Sequence, residues 1–207
     1  MSTNIPLRCA CGAVEGVALD VDPDRGSRVI CYCNDCQAFA RYLGRDGIVD
    51  RHGGTDIFQM APPQVRITRG AEQLRVMRLT EKGLFRWFVD CCRTPVANTL
   101  GPAKVPFAAV LQPFMDHRTD GRSRDSVLGP PLCLLYARFA VNGTPAGESP
   151  KIPVGLILRS VRLLTLGWVA GKYRPSPFFD AAGKRIVEPI VLTVEERDRL
   201  RPAPRAS

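Results

Sequence analysis

The sequence predicts a mainly β unit cross-linked through cysteines, followed by a helical C-terminal extension. Three observations carry this. Short runs of β-branched and aliphatic residues, broken by Gly, Pro and Asp, fill the first hundred positions. Seven of the eight cysteines fall within the first 92 residues, in closely spaced sets. After a polar break near residue 120 the apolar spacing turns helical.

In chain order, Ala13 to Val21 and Arg28 to Cys31 read as strands, and Cys36 to Leu43 as one or two helical turns. Thr55 to Met60 is a further strand, stopped by Pro62-Pro63 and resumed from Val65 to Thr68. Leu74 to Thr80, the turn Glu81-Lys82-Gly83 and Leu84 to Val89 form a hairpin pattern. Asp116 to Pro131 is rich in Asp, Arg, Ser, Gly and Pro and reads as a loop or linker. Leu132 to Val141 is expected to be a short apolar helix, and Val154 to Gly171 is the strongest helix pattern in the chain. Thr193 stands three residues before Glu196, the capping-box spacing that starts a last helix through Leu200. The expected organisation is a cysteine-rich β domain over 1–115, a linker over 116–131 and a helical extension over 132–207.

Bulk composition is that of a soluble globular protein: 45% hydrophobic and 24% charged over 207 residues. The formal charge of +9 comes mostly from scattered arginines without a dense run. A dispersed basic surface solvates the fold, so no nucleic-acid partner is expected. The opening MSTNIPLRCACG has no apolar stretch of the signal-peptide kind. Eight cysteines are therefore expected reduced, in the cytoplasm, where close spacing favours metal over disulfides.

Cys31-Tyr-Cys33-Asn-Asp-Cys36 is the most informative stretch. Residues two apart on an extended strand share a face, so Cys31 and Cys33 reach one ion, and two further residues turn Cys36 back toward it. Three thiolates at about 2.3 Å leave a tetrahedral zinc one ligand short. Either a protein ligand from elsewhere closes the shell, or the position stays open for water or substrate. Cys9 and Cys11 repeat the strand-face pattern before Gly12. Cys91 and Cys92 follow the hairpin, and would need a bend to share an ion, because neighbours on a strand face opposite ways. Cys133 is expected to be a buried core thiol.

A CxCG near the start, a CxCxxC some twenty residues on and a cysteine turn before Thr94-Pro95 resemble the glutathione-dependent formaldehyde-activating enzymes. Centromere protein V belongs to the same family. The resemblance covers about residues 9 to 99, and its middle motif, CYCNDCQ, is specific. It implies a zinc-stapled β-tent of small antiparallel sheets and two zinc ions. Cys31, Cys33 and Cys36 match the zinc whose open position takes an external thiol such as glutathione. Cys9 and Cys11 match half of a structural zinc site, whose other half is a CxxCG pair. With Cys92 in the second cysteine position the first falls on Val89, and Arg93 replaces the glycine. Either Cys91 serves as the fourth ligand or the second zinc is altered or absent.

The implied chemistry is that of a carbon–sulfur lyase: a zinc-activated thiolate adds to a small carbonyl such as formaldehyde, or the reverse. No general base stands out. His52 and His117 lie in polar, loop-like stretches, and Asp35 reads as a turn residue. Arg41 and Arg45, one or two helical turns beyond the cluster, are the candidates for meeting glutathione carboxylates. The competing reading is a non-catalytic zinc-stapled module for dimerisation or partner binding. In Val154 to Gly171 the central Arg159 and Arg162 rule against a membrane span and make the helix amphipathic. It is expected to pack its apolar side on the β unit or on a second subunit, with attachment to a membrane surface as the alternative.

Overall fold

The computed structural model describes residues 2–45, 47–116, 121–143, 145–147 and 152–202. The fold is mainly β with a helical C-terminal part, as the patterning predicts. Strands β1 (Thr3–Arg8), β2 (Glu15–Val21) and β5 (Val65–Arg69) form an antiparallel sheet in the order β1-β2-β5. The second sheet is built from β3 (Ser27–Cys31), β4 (Thr55–Met60), β6 (Leu74–Arg78), β7 (Phe85–Val89), β8 (Pro95–Thr99) and β9 (Ala108–Leu111). The short strands β10 (Leu134–Leu135) and β11 (Ile190–Val191) complete it in the order β10-β3-β4-β9-β8-β7-β6-β11. Its inner pairings are antiparallel, and the two edge strands pair in parallel.

Alternation along the strands sends side chains to two different cores. On β7, Phe85, Trp87 and Val89 pack with Ile5, Leu7 and Ala18 of the small sheet, whereas Phe88 faces the opposite side. There helix α1 (Asn34–Leu43) lays Cys36, Phe39, Ala40 and Leu43, spaced i, i+3, i+4 and i+7, on Ile57, Met77 and Leu111. The central strands are therefore covered on both faces, and all five residues of β7 and of β8 are buried. Cys33 caps α1 at its start, its Sγ accepting from Cys36 N at 3.4 Å. Gly44 ends the helix at φ +62°, donating to the carbonyls of Ala40 and Arg41.

The predicted hairpin and the strands before it occur where expected, and α1 is longer than foreseen. Leu132 to Val141 is a correction. Pro130-Pro131 imposes extended backbone, and the chain pairs with the free edge of β3 through Leu132 N to Arg28 O at 2.8 Å and Ile30 N to Cys133 O at 3.1 Å. One short 3-10 turn, Ala137–Phe139, follows. Pairing an open sheet edge outweighs the helical propensity of so short a run. Within 116–131 lies the short helix α2 (Arg124–Leu128), whose Asp125 meets the buried Arg28 at 2.6 Å. Arg28 also pairs with Asp56 at 2.8 Å and donates to Gly129 O at 2.7 Å.

Helix α3 (Val154–Val169) forms over the expected range but leaves most of its apolar side off the β unit, one of the two packings expected for it. Leu156 and Gly167 are buried, and Arg159 points inward to donate to the carbonyls of Pro23 and Gly26 at 2.7 and 3.1 Å. Ile157, Leu158, Val161 and Trp168 are 48–64% exposed. Carbonyls at the β2–β3 connection explain why Arg159 faces inward, since a guanidinium satisfies them and an apolar side chain does not. Leu156→Ala is therefore expected to cost about 2–4 kcal/mol, and Leu158→Ala less than about 0.5 kcal/mol, in paired urea melts. Equal costs would contradict this orientation. No helix among the described residues is long and apolar enough to cross a membrane. The last helix, α4 (Val194–Leu200), carries the predicted box: Thr193 Oγ1 accepts from Glu196 N, and Glu196 Oε2 from Thr193 N.

Candidate metal centres

Two groups of cysteines are brought together among the described residues. All eight cysteines are free thiols.

The first group joins Cys9 and Cys11, in the β1–β2 connection, to Cys91 and Cys92, in the β7–β8 turn. The sulfurs lie 3.6 Å (Cys9–Cys11), 3.9 Å (Cys9–Cys91), 3.4 Å (Cys11–Cys91) and 3.9 Å (Cys91–Cys92) apart. A tetrahedral ion with metal–sulfur bonds of about 2.3 Å requires edges of about 3.8 Å, so the four thiols fit one ion. The bend that adjacent cysteines require is present. Val89 N donates to Thr94 O at 3.0 Å, Arg93 N to Val89 O at 2.9 Å, and Arg93 takes φ +58°. Arg93 thus holds the left-handed conformation for which glycine is the usual residue. Its guanidinium stacks over Tyr42 and Phe88 at 5.1 and 5.2 Å. Ala10 N donates to Thr94 Oγ1 at 3.1 Å, fastening one cysteine loop to the other. Val14 N donates to Cys9 Sγ at 3.2 Å, the kind of bond that supports a bound thiolate. Burial works against it, but hydrogen bonds from Thr94 and from the Cys11 and Thr94 backbones bring the Cys92 thiol down to about 6. Burial and the neighbouring thiols of Cys11 and Cys9 push Cys91 up. Val89 is a core residue, 0% exposed.

The second group is Cys31, at the end of β3, with Cys33 and Cys36 at the start of α1. Their sulfurs lie within 4.8 Å of one another, and among the described residues no fourth Cys, His, Asp or Glu joins them. Cys31 and Cys36 are buried and Cys33 is partly exposed. Arg86 Nη1 donates to Cys36 Sγ at 3.8 Å. Hydrogen bonds from Cys31 and Cys33, and then the Arg86 charge, hold the Cys36 thiol well below its ordinary range in spite of burial. Cys31, donating to Cys33 and Cys36, is pushed up.

The three thiols open on a cavity of about 770 Å³. Ile57, Leu79, Phe107, Leu135 and Phe139 supply apolar walls, and Arg78, Lys82 and Arg86 its positive charge. Asn98, the cross-strand partner of Arg86, also lines it. Its Oδ1 is buried without a hydrogen-bond partner, an unfilled acceptor that a ligand can satisfy.

The remaining candidates fall elsewhere. Neither Arg41 nor Arg45 lines the cavity. Arg41 donates to Leu200 O at 3.1 Å, docking α4, and Arg45 donates to Cys92 O at 2.5 Å and Thr94 Oγ1 at 3.2 Å, bracing the four-cysteine turn. Asp35 accepts from Arg201 at 2.6 Å rather than from a turn amide. His52 meets Asn142 O at 3.1 Å, apart from both cysteine groups, and His117 lies outside the described residues. Cys133 is buried as expected and belongs to neither group. Arg86 and Asn98 are the residues that sequence reading missed. The available signal was a lone Arg in the apolar run Phe85 to Val89, at the position that alternation places opposite Trp87.

The profile of a family of unknown function (DUF6151) matches residues 1–190. No curated protein matches the chain.

Proposed function

Because the chain belongs to the DUF6151 family, whose function is unknown, we infer from its own residues that it is a zinc protein with one closed and one open site. In this reading Cys9, Cys11, Cys91 and Cys92 hold a structural zinc, and Cys31, Cys33 and Cys36 hold a second with a position free for a small thiol. The observation that carries it is the cavity of about 770 Å³ onto which three cysteines face without a fourth protein ligand among the described residues. The cysteine spacing that resembles the glutathione-dependent formaldehyde-activating enzymes supports the same reading.

Zinc at such a position supplies a Lewis acid that keeps a bound thiol deprotonated at neutral pH. The chain's residues do the rest. Apolar walls exclude water from the thiols. Arg78 and Lys82 receive the carboxylates of a glutathione-like thiol, the role expected of Arg41 and Arg45. The activity proposed is reversible carbon–sulfur bond formation. The thiolate sulfur bonds to the carbon of a small aldehyde, the carbonyl π pair moves to oxygen, and that oxygen takes a proton from solvent. Asn98 Oδ1 accepts the new hydroxyl. No oxidant or reductant is needed. The exposed apolar face of α3 favours a second reading, a stapled module that docks a partner without turnover.

Native mass spectrometry of the reduced, zinc-loaded chain separates the two. Two zinc ions per chain and a zinc-dependent glutathione adduct are expected. Two ions and no adduct at millimolar glutathione would leave only the docking module. With formaldehyde added, Asn98→Leu is expected to weaken retention of the S-hydroxymethyl adduct about tenfold while leaving the melting temperature equal or higher, since it removes an unpartnered buried acceptor. A parallel loss of stability would make Asn98 structural.

A further inference from the structure

Arg86 projects from the middle of β7 into the layer between the large sheet and α1, where 3% of it is exposed. A guanidinium taken out of water is strongly destabilising unless an anion meets it. Its close partners are Cys36 Sγ at 3.8 Å and the Phe39 ring, 5.5 Å from the guanidinium. Among the described residues no carboxylate lies within ion-pair distance of it, and the charge of Asp35 acts on it only after those of Cys36 and Cys33. The buried Arg28, by contrast, has Asp56 and Asp125. The groups that offset this cation most are the thiols of Cys36 and Cys33.

The charge of the three-cysteine group meets that need. Three thiolates around a divalent cation carry a net charge of −1, and one guanidinium cancels it. The four-cysteine group, with net charge −2 and two exposed members, is compensated by solvent instead. We propose that Arg86 is the built-in counter-charge of the Cys31/Cys33/Cys36 metal group, and that it sets the ligand class of the free position to small anionic donors, thiolates above all. This rests on reading that group as a metal site with a free position. With Arg86 in place the loaded group is neutral and a thiolate adds to it without repulsion. Without Arg86 the group is already negative, and an anion that reaches it is repelled, with Arg78 and Lys82 alone left of the cations lining the cavity among the described residues. A neutral donor such as imidazole has no such dependence. Arg86 is thus a positioning residue, acting through Cys36 and the metal.

The test uses the full chain loaded with cobalt(II), whose thiolate charge-transfer bands report the donor set, as wild type, Arg86→Lys and Arg86→Met. Metal affinity is read by competition with a chromophoric chelator, and the free position by titration with 2-mercaptoethanol and separately with imidazole. Arg86→Met is expected to lower metal affinity at the Cys31/Cys33/Cys36 group and 2-mercaptoethanol affinity by about tenfold or more each. Imidazole affinity should change little, and Arg86→Lys should recover most of both losses. Equal 2-mercaptoethanol affinities in wild type and Arg86→Met, or a parallel loss for imidazole, would overturn the proposal. So would a lysine variant as impaired as the methionine one. Should Arg86→Met not fold, Arg86→Gln, which keeps the hydrogen-bonding reach without the charge, carries the same comparison. If the wild-type bands respond to neither donor, the free position is lost as a reading. The metal-affinity comparison then still decides whether Arg86 balances the group.

Discussion

Cys91→Ser is expected to weaken binding of one of the metal ions and to lower stability by up to about 5 kcal/mol, a third or more of what a domain commonly has. Cys91 lies 3.4 Å from Cys11 and 3.9 Å from Cys9 across about eighty residues of sequence. A cross-link closing a loop of that length is worth about 4–5 kcal/mol in the chain-entropy view, and the lost metal–sulfur bond adds to it. The link fastens the β1–β2 connection of the small sheet to the β7–β8 turn of the large one, so its loss loosens the packing of sheet on sheet. Cys133→Ala is the control: that thiol is buried but outside both groups, so metal content should stay unchanged. Urea melts with metal counting by native mass spectrometry make the comparison. A Cys91→Ser chain with unchanged metal affinity and midpoint would show that Cys91 does not share the metal of Cys9, Cys11 and Cys92.

Cys36→Ala should leave the structural ion in place, empty the second site and abolish the thiol adduct, a loss of at least about 100-fold. Its stability cost has a different origin. Cys36 Sγ is the group that accepts from the buried Arg86, and stranding a buried charge costs about 3–5 kcal/mol. Arg86→Met in the Cys36→Ala background is therefore expected to regain part of that loss, because the stranded cation is gone. Retention of the glutathione adduct in Cys36→Ala would place thiol binding away from the three-cysteine group.

Local patterns were sufficient where one short stretch sets the outcome. Thr55–Met60 is a strand at the predicted bounds because apolar runs end at prolines on its C-terminal side. The Thr193 capping box forms because both partners lie within one turn. The Cys31/Cys33/Cys36 set converges because strand alternation and the first turn of a helix fix all three directions. Edge-strand β1 and the strands β8 and β9 were not legible, since their pairing is long-range and Pro95 and Pro106 obscure the runs.

The sequence by itself determined the mainly β class, the helical C-terminal part and the three-cysteine group, all through contacts within about ten residues. Only the tertiary structure decided the rest. The turn at Val89–Thr94, with Arg93 at φ +58°, swings Cys91 and Cys92 onto Cys9 and Cys11. The carbonyls of Pro23 and Gly26 turn Arg159 inward and leave the apolar side of α3 outside. The register of β7 against β8 sets Arg86 beside Asn98 on the wall of the cavity. In each case the deciding partner lies a dozen or more residues away in sequence. Hydropathy and spacing describe a side chain and its near neighbours, whereas charge pairing and metal geometry depend on what folding brings within a few ångströms.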